Sequence, residues 1–236
     1  MLIDSAARLE PLVFLLDVDD TLLDNDRFAA DLGAELERNF GAAERERYWA
    51  IYAQLRNERG YADYLDALQR FRDGLDNHPA LLSMSGFLLE YPFEQRLYPG
   101  VPETIDHLRT LGRPAILSDG DVVFQPRKVH RAGLWRALRG DVLIYLHKQQ
   151  MLDAMQQRYP ATHYVMVDDK PDILAAMKRQ LGARLTTVWV RQGHYAAAAA
   201  NQAIEPAPDL AIACIAELRE RKLADFLPDA ANAATA

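Results

Sequence analysis

The sequence predicts an α/β protein: a doubly wound, Rossmann-like parallel sheet core carrying an α-helical insert. Three observations predict it. Leu12 to Leu16 is an unbroken apolar run that stops at Asp17-Val18-Asp19-Asp20, as a strand buried on both faces does when its polar end reaches solvent or a site. From Leu97 onward, short apolar strands alternate with amphipathic helices, the pattern of parallel strands joined by right-handed crossovers. Between these regions, Asn25 to about Tyr91 has helical spacing and no convincing strand run.

The elements follow in order. Residues 1–22 and 98–227 are expected to form the core, 23–97 a helical insert and 228–236 a flexible tail, frayed from about Ala230. In the insert, Phe28, Leu32, Leu36 and Phe40 recur every fourth residue, followed by Tyr48, Tyr52 and Leu55, then Leu65, Leu68, Phe71 and Leu75. Gly41, Gly60 and Asn77-His78-Pro79 punctuate them, giving about four helices. The insert's arginines alternate with acidic residues, as on a solvated mixed-charge face, although one or two could reach a site. Downstream, strands are expected at Ala115–Leu117, Val142–Tyr145, Tyr164–Val167 and Arg184–Val190. Helices are expected from about Glu103 to Leu111, Val122 to Arg131, Leu134 to Leu138, Gln149 to Tyr159 and Ile173 to Leu181. Arg191 to Pro208 reads as loop or weak helix, and Leu210 to about Leu223 as a last helix.

Composition narrows the function. The 236 residues are 50% hydrophobic, enough for a substantial core, and the net charge of −7 argues against a nucleic-acid partner. The single cysteine, Cys214 in I-A-C-I-A-E-L, reads as a small apolar residue on a helix's buried face and rules out a disulfide within one chain. The start lacks a basic segment followed by an apolar one, and Leu12–Leu16 is too short to span a bilayer, so a cytoplasmic protein with no membrane partner is expected.

The chemistry lies at the strand ends. Like charges at Asp17, Asp19 and Asp20 raise one another's pKa and call for a cation or proton, unless the stretch only caps the next helix through Thr21 or Asp24. Just past the later strands come Ser118-Asp119-Gly120, Lys148 and Asp168-Asp169. Parallel strands bring all of these to one edge. Carboxylates suited to Mg²⁺, a lysine as a point charge for phosphate and a turn offering N–H groups to an anion are the parts phosphoryl chemistry needs.

These segments, D-V-D-D-T-L-L-D, I-L-S-D-G, Lys148 and V-M-V-D-D-K-P-D-I, resemble the four motifs of the haloacid dehalogenase superfamily. The likeness extends through Y-P-G-V-P-E-T-I-D-H-L-R and G-D-V-V-F-Q-P-R-K-V-H-R-A-G-L, and so from Leu12 to about Val190 except for the helical insert, which, lying between the first and second motifs, looks like the family's α-helical cap domain. It implies a Mg²⁺-dependent phosphomonoester hydrolase acting on a small phosphorylated metabolite. Asp17 would be the nucleophile and form an aspartyl-phosphate, Asp19 the general acid and base. Ser118, with Asp119 beside it, and Lys148 would bind the phosphoryl group, while Asp17, the Asp19 carbonyl and Asp169 would hold the metal. Asp168 and Asp172 would stand behind them, with the division between Asp168 and Asp169 left open. The carboxylate at Asp19 favours phosphate esters over haloacids, since a departing halide needs no proton. Alternatives are a phosphate-binding or regulatory protein with little turnover and, further off, a phosphomutase or dehalogenase. Lys128 reads as a solvated helix residue, although it could cross the site; His147, beside Lys148, as a strand-end residue making a local hydrogen bond; and Trp49, Tyr61 and Tyr64 as cap core, any of which could face the substrate.

Overall fold

The computed structural model of the chain describes residues 9–61, 63–199 and 202–227. β1 (Glu10–Leu16) lies inside one parallel sheet. β2 (Arg113–Asp119) and β3 (Val142–Tyr145) lie on one side of it, and β4 (Ala161–Asp168), β5 (Leu185–Val190) and β6 (Leu210–Ile212) on the other. Leu16 aligns with Ile116 on β2 and with Val167 on β4, so β1 and β4 end together while β2 runs on to Asp119 beside Tyr145 of β3.

The two faces follow from the alternation of β1. Leu12, Phe14 and Leu16 join Ile105, Leu108, Phe124 and Val129 on one face, and Val13 and Leu15 join Leu152, Met155, Leu174 and Met177 on the other. Burying each such side chain contributes about 1.5–3 kcal/mol, so β1 can bear a costly group of charges at its end. The helices supplying these faces are α5 (Val101–Leu111), α6 (Phe124–Arg131), α7 (Leu134–Ala137), α8 (Leu152–Arg158) and α9 (Pro171–Leu181), while α10 (Gly193–Ala199) follows β5.

Between β1 and β2 stand α1 (Asn25–Phe40), α2 (Ala42–Arg59), α3 (Tyr64–Phe71) and α4 (Ala80–Glu90). Asp24 caps α1, its carboxylate accepting the Arg27 N–H at 2.8 Å, and Phe28, Leu32 and Leu36 form the buried stripe. The two chains linking these helices to the sheet pair with each other: Leu23 bridges Leu97 antiparallel, and the Asp24 and Tyr98 N–H groups donate to Arg96 O at 2.8 Å and Leu22 O at 3.0 Å.

Two expectations are corrected. The stretch expected as a last helix from Leu210 begins as strand β6 and continues as 3-10 turns at Ile215–Glu220 and Leu223–Phe226. Val188, Trp189 and Val190 on β5 offer a free backbone edge, and Leu210, Ala211 and Ile212 take it in register, which outweighs a weak helical pattern. Cys214 therefore lies on the connection after β6 and is exposed, not in the core. The ambiguous segment after β5 forms α10, and the expected frayed tail lies outside the described residues. Among the described residues no helix is long and apolar enough to cross a membrane.

Candidate active site

The order of the sheet fixes where the site must be. The chain winds outward from β1 through β2 to β3, then returns to the other side of β1 at β4, so a crevice opens between the ends of β1 and β4. Asp17 follows β1 and Asp168 ends β4, and the Asp17 N–H continues the ladder to Val167 O at 3.0 Å. Ser118 lies near the end of β2, and Lys148 in the 3-10 turn after β3.

These groups meet. The Lys148 ammonium, fully buried, lies 2.5 Å from Asp17 Oδ1 and 2.6 Å from Asp168 Oδ2. Burial disfavours its charge, but Asp168, Asp17 and Asp119 outweigh that and hold it above the ordinary lysine range. Ser118 Oγ donates to Asp17 Oδ1 at 3.2 Å and accepts from Gln125 Nε2 at 3.2 Å. Asp119 Oδ1 accepts the Lys148 backbone N–H at 2.7 Å, so its carboxylate fixes the lysine's turn.

Asp17, Asp168 and Asp169 bring oxygens within 4.8 Å of one another. Asp168 is engaged, by Lys148 and by the Lys170 N–H at 2.9 Å. Asp169 is buried with neither carboxylate oxygen hydrogen-bonded, and burial followed by the Asp168 charge pushes its pKa up to about 9. A buried carboxylate without a donor needs either a proton or a cation. The donor set therefore fits a hard divalent ion held by Asp17 and Asp169, with Asp168 turned to the lysine. Asp172, expected behind these ligands, is instead exposed on the first turn of α9, which points it to solvent.

Asp19 occupies a separate environment. Its carboxylate receives the Lys128 ammonium at 2.7 and 2.9 Å and Gln125 Nε2 at 3.4 Å. Lys128 is fully buried, correcting its reading as solvated, and also donates to Asn25 Oδ1 at 3.0 Å. Its ammonium lies 5.4–5.8 Å from the ring centroids of Phe28, Tyr64, Phe93 and Phe124. Cation–π attraction compensates in part for its desolvation. One signal for it was available: Phe124 and Lys128 are four apart, so the lysine lies on the apolar face of α6.

Further groups border the crevice. Asp20, buried at φ +56°, accepts the Asn25 and Asp26 N–H groups at 3.0 and 3.3 Å. Burial, then the charges of Asp19 and Asp26, raise its pKa to about 7. Asp26 pairs with His194, and an added Cβ on Gly193 (φ +71°) would lie 2.5 Å from Asp20 Cβ. Lys170 and Tyr195 have no counterpart among the expected site residues. The Lys170 ammonium lies 4.6 Å from the Tyr195 ring centroid; burial disfavours its charge, but Asp17, Asp169 and Asp168 outweigh that and hold it above the ordinary range. From the insert, Tyr64 is buried against Tyr52, with ring centroids 4.8 Å apart, while Trp49 packs edge-on to Tyr48 and Tyr52.

Residues 12–180 match the family model for haloacid dehalogenase-like hydrolases. The chain is 53% identical to a protein from Burkholderia xenovorans LB400 described as haloacid dehalogenase-like, over 92% of this chain and 99% of that one, with a TM-score of 0.85. L-2-haloacid dehalogenase from Xanthobacter autotrophicus shares the fold at 18% identity, over 88% and 96% of the chains, with a TM-score of 0.56. The HAD-hydrolase YfnB from Bacillus subtilis, solved with magnesium and showing interdomain movement, does so at 16% identity, over 89% and 97%, with a TM-score of 0.60. No curated protein matches the chain.

Proposed function

The chain belongs to the haloacid dehalogenase-like hydrolase family, and we propose that within it the protein is a Mg²⁺-dependent phosphatase acting on a small phosphorylated metabolite. The observation that carries this reading is the division of the two carboxylates at the end of β1. Asp17 is held by Lys148 and Ser118, and Asp19, two residues on, by Lys128, Gln125 and, through Lys128, Asn25. A nucleophile alone suffices when a halide leaves; an alkoxide needs a proton, and a second, separately positioned carboxylate supplies it.

In this reading Asp19 enters the step as the carboxylic acid: Asp17 attacks phosphorus, the ester P–O bond breaks, and Asp19 gives its proton to the departing alkoxide, becoming a carboxylate. Asp19 then takes a proton from water, whose oxygen attacks phosphorus and releases phosphate and the Asp17 carboxylate. Lys148 offsets negative charge at Asp17 and on the transferring group, and Ser118, which donates to Asp17 Oδ1, donates to a phosphoryl oxygen once that carboxylate oxygen bridges to phosphorus. Asp17 and Asp169 would hold Mg²⁺, which when bound neutralises charge on the phosphoryl oxygens. The helices α1 to α4 act as a cap over the crevice, and the paired connectors around Leu23 and Leu97 are its hinge, excluding water while the intermediate forms.

Incubation with Mg²⁺ and an aryl phosphate, beside Asp17→Asn and Asp19→Ala, tests this. Activity in the wild type that disappears in Asp17→Asn supports it; activity unaffected by Asp17→Asn would sink it. Turnover of a 2-haloacid with none of any phosphate ester favours dehalogenation, and phosphate binding without turnover favours a regulatory role.

A further inference from the structure

The last turns of α2 face the crevice. Tyr52, Arg56 and Gly60 are four apart along one side of the helix and its cap. Tyr52 lies against Tyr64, Arg56 Cζ is 4.8 Å from the Tyr195 ring centroid, and an added Cβ on Gly60 would lie 2.8 Å from the imidazole of His147, beside Lys148. The helix end therefore crosses the crevice from the β5 side to the β3 side.

Arg56 differs from its neighbours. Every other arginine from Arg27 to Arg72 has a carboxylate partner within 3.5 Å, whereas Arg56, half-buried, has none among the described residues. The second cation on the Tyr195 ring, Lys170, is balanced by the carboxylates of the crevice. A guanidinium held over the Tyr195 ring keeps N–H donors for another acceptor, and its fork suits a carboxylate or phosphate.

We propose that Arg56 binds an oxyanion carried by the alcohol part of the substrate, so that the preferred substrate is a phosphomonoester of an anionic alcohol, such as a hydroxy acid. This rests on the phosphatase reading and adds the leaving group's charge to it. A neutral alcohol would leave the guanidinium unpaired as the cap closes, so the charge also provides selectivity.

The test compares binding of methylphosphonate and phosphonoacetate, which differ by a carboxylate, by calorimetry in Mg²⁺ with wild type, Arg56→Ala and Arg56→Lys. The wild type should favour phosphonoacetate by about ten- to a hundredfold, the worth of one charge-assisted contact. That ratio should collapse towards one in Arg56→Ala and recover in part in Arg56→Lys. A ratio unchanged by Arg56→Ala, both ligands weakening together, would mean that Arg56 only holds the cap, and no wild-type preference would equally overturn the proposal. Binding of neither phosphonate by the wild type would reject the phosphatase reading itself. Matched melting curves show that the variants are folded.

Discussion

Replacing Lys128 by Met should separate activity from stability. Lys128 contributes two hydrogen bonds to Asp19 and one to Asn25, of 2.7 to 3.0 Å, from within four aromatic rings. Removing one partner of a fully buried pair costs about 3–5 kcal/mol, because the other charge is stranded. Asp19, however, is 23% exposed and can take water, which reduces the loss to roughly 1–2 kcal/mol. Met has a similar shape and gains favourable sulfur–aromatic contacts worth about 0.3–1.5 kcal/mol each. The net change in stability should therefore stay within about 1–2 kcal/mol, a few degrees in Tm for a chain of this size. Activity should fall far more, by about 10²–10⁴, because the carboxylate proposed to transfer the proton would no longer be held. Steady-state kinetics on an alkyl phosphate beside thermal melts would measure both. Activity within threefold of wild type, or a Tm loss above about 10 °C with proportionate inactivation, would refute this account of Lys128.

Three further outcomes follow from the geometry. Without a cation, burial and the Asp168 charge hold the proton of Asp169 to about 9, far above the ordinary carboxylate range, so between that range and about 9 the native state binds the extra proton and stability falls as pH rises. Mg²⁺ replaces the proton, so its affinity should rise by up to about tenfold per pH unit, and it should raise Tm more at about pH 8.5 than at about pH 6; equal shifts in melts would contradict this. Gly193→Ala places a Cβ 2.5 Å from Asp20 Cβ at φ +71°, which should cost roughly 2–4 kcal/mol and lower Tm by roughly 5–15 °C; a shift below about 2 °C would show that the contact relaxes freely. Ser118→Ala removes the donor 3.2 Å from Asp17 Oδ1 and should lower kcat by about ten- to a thousandfold in a folded protein, and an unchanged kcat would exclude its part in phosphoryl transfer.

How far the chain could be read depended on whether a residue's role was encoded locally. Leu12 to Leu16 announces a buried strand by itself, and the polar residues after each strand converge because parallel strands end on one edge. The family resemblance rested on those same segments. Lys128 resisted this kind of reading: lysine is ordinarily solvated, and what buries it is the meeting of Phe28, Tyr64, Phe93 and Phe124 from four separate stretches. Leu210–Ile212 was misread for a related reason, since three apolar residues become a strand only beside the open edge of β5. The difference between Asp168 and Asp169 lies in Lys148, which pairs with the first and leaves the second without a donor, and a repeated Asp-Asp does not show which of the two the lysine reaches. Arg56 and Tyr195 come together only once α2 lies across the strand ends.

The central claim, that Asp17 carries the phosphoryl group and Asp19 governs its release, is most directly tested by acid-quenching Asp19→Ala during turnover of an aryl phosphate whose leaving group needs no proton. Mass spectrometry of the digested protein should then find a phosphoryl group accumulated on the peptide containing Asp17. An unmodified Asp17 in protein that continues to release phosphate, or a phosphoryl group on another residue, would contradict it.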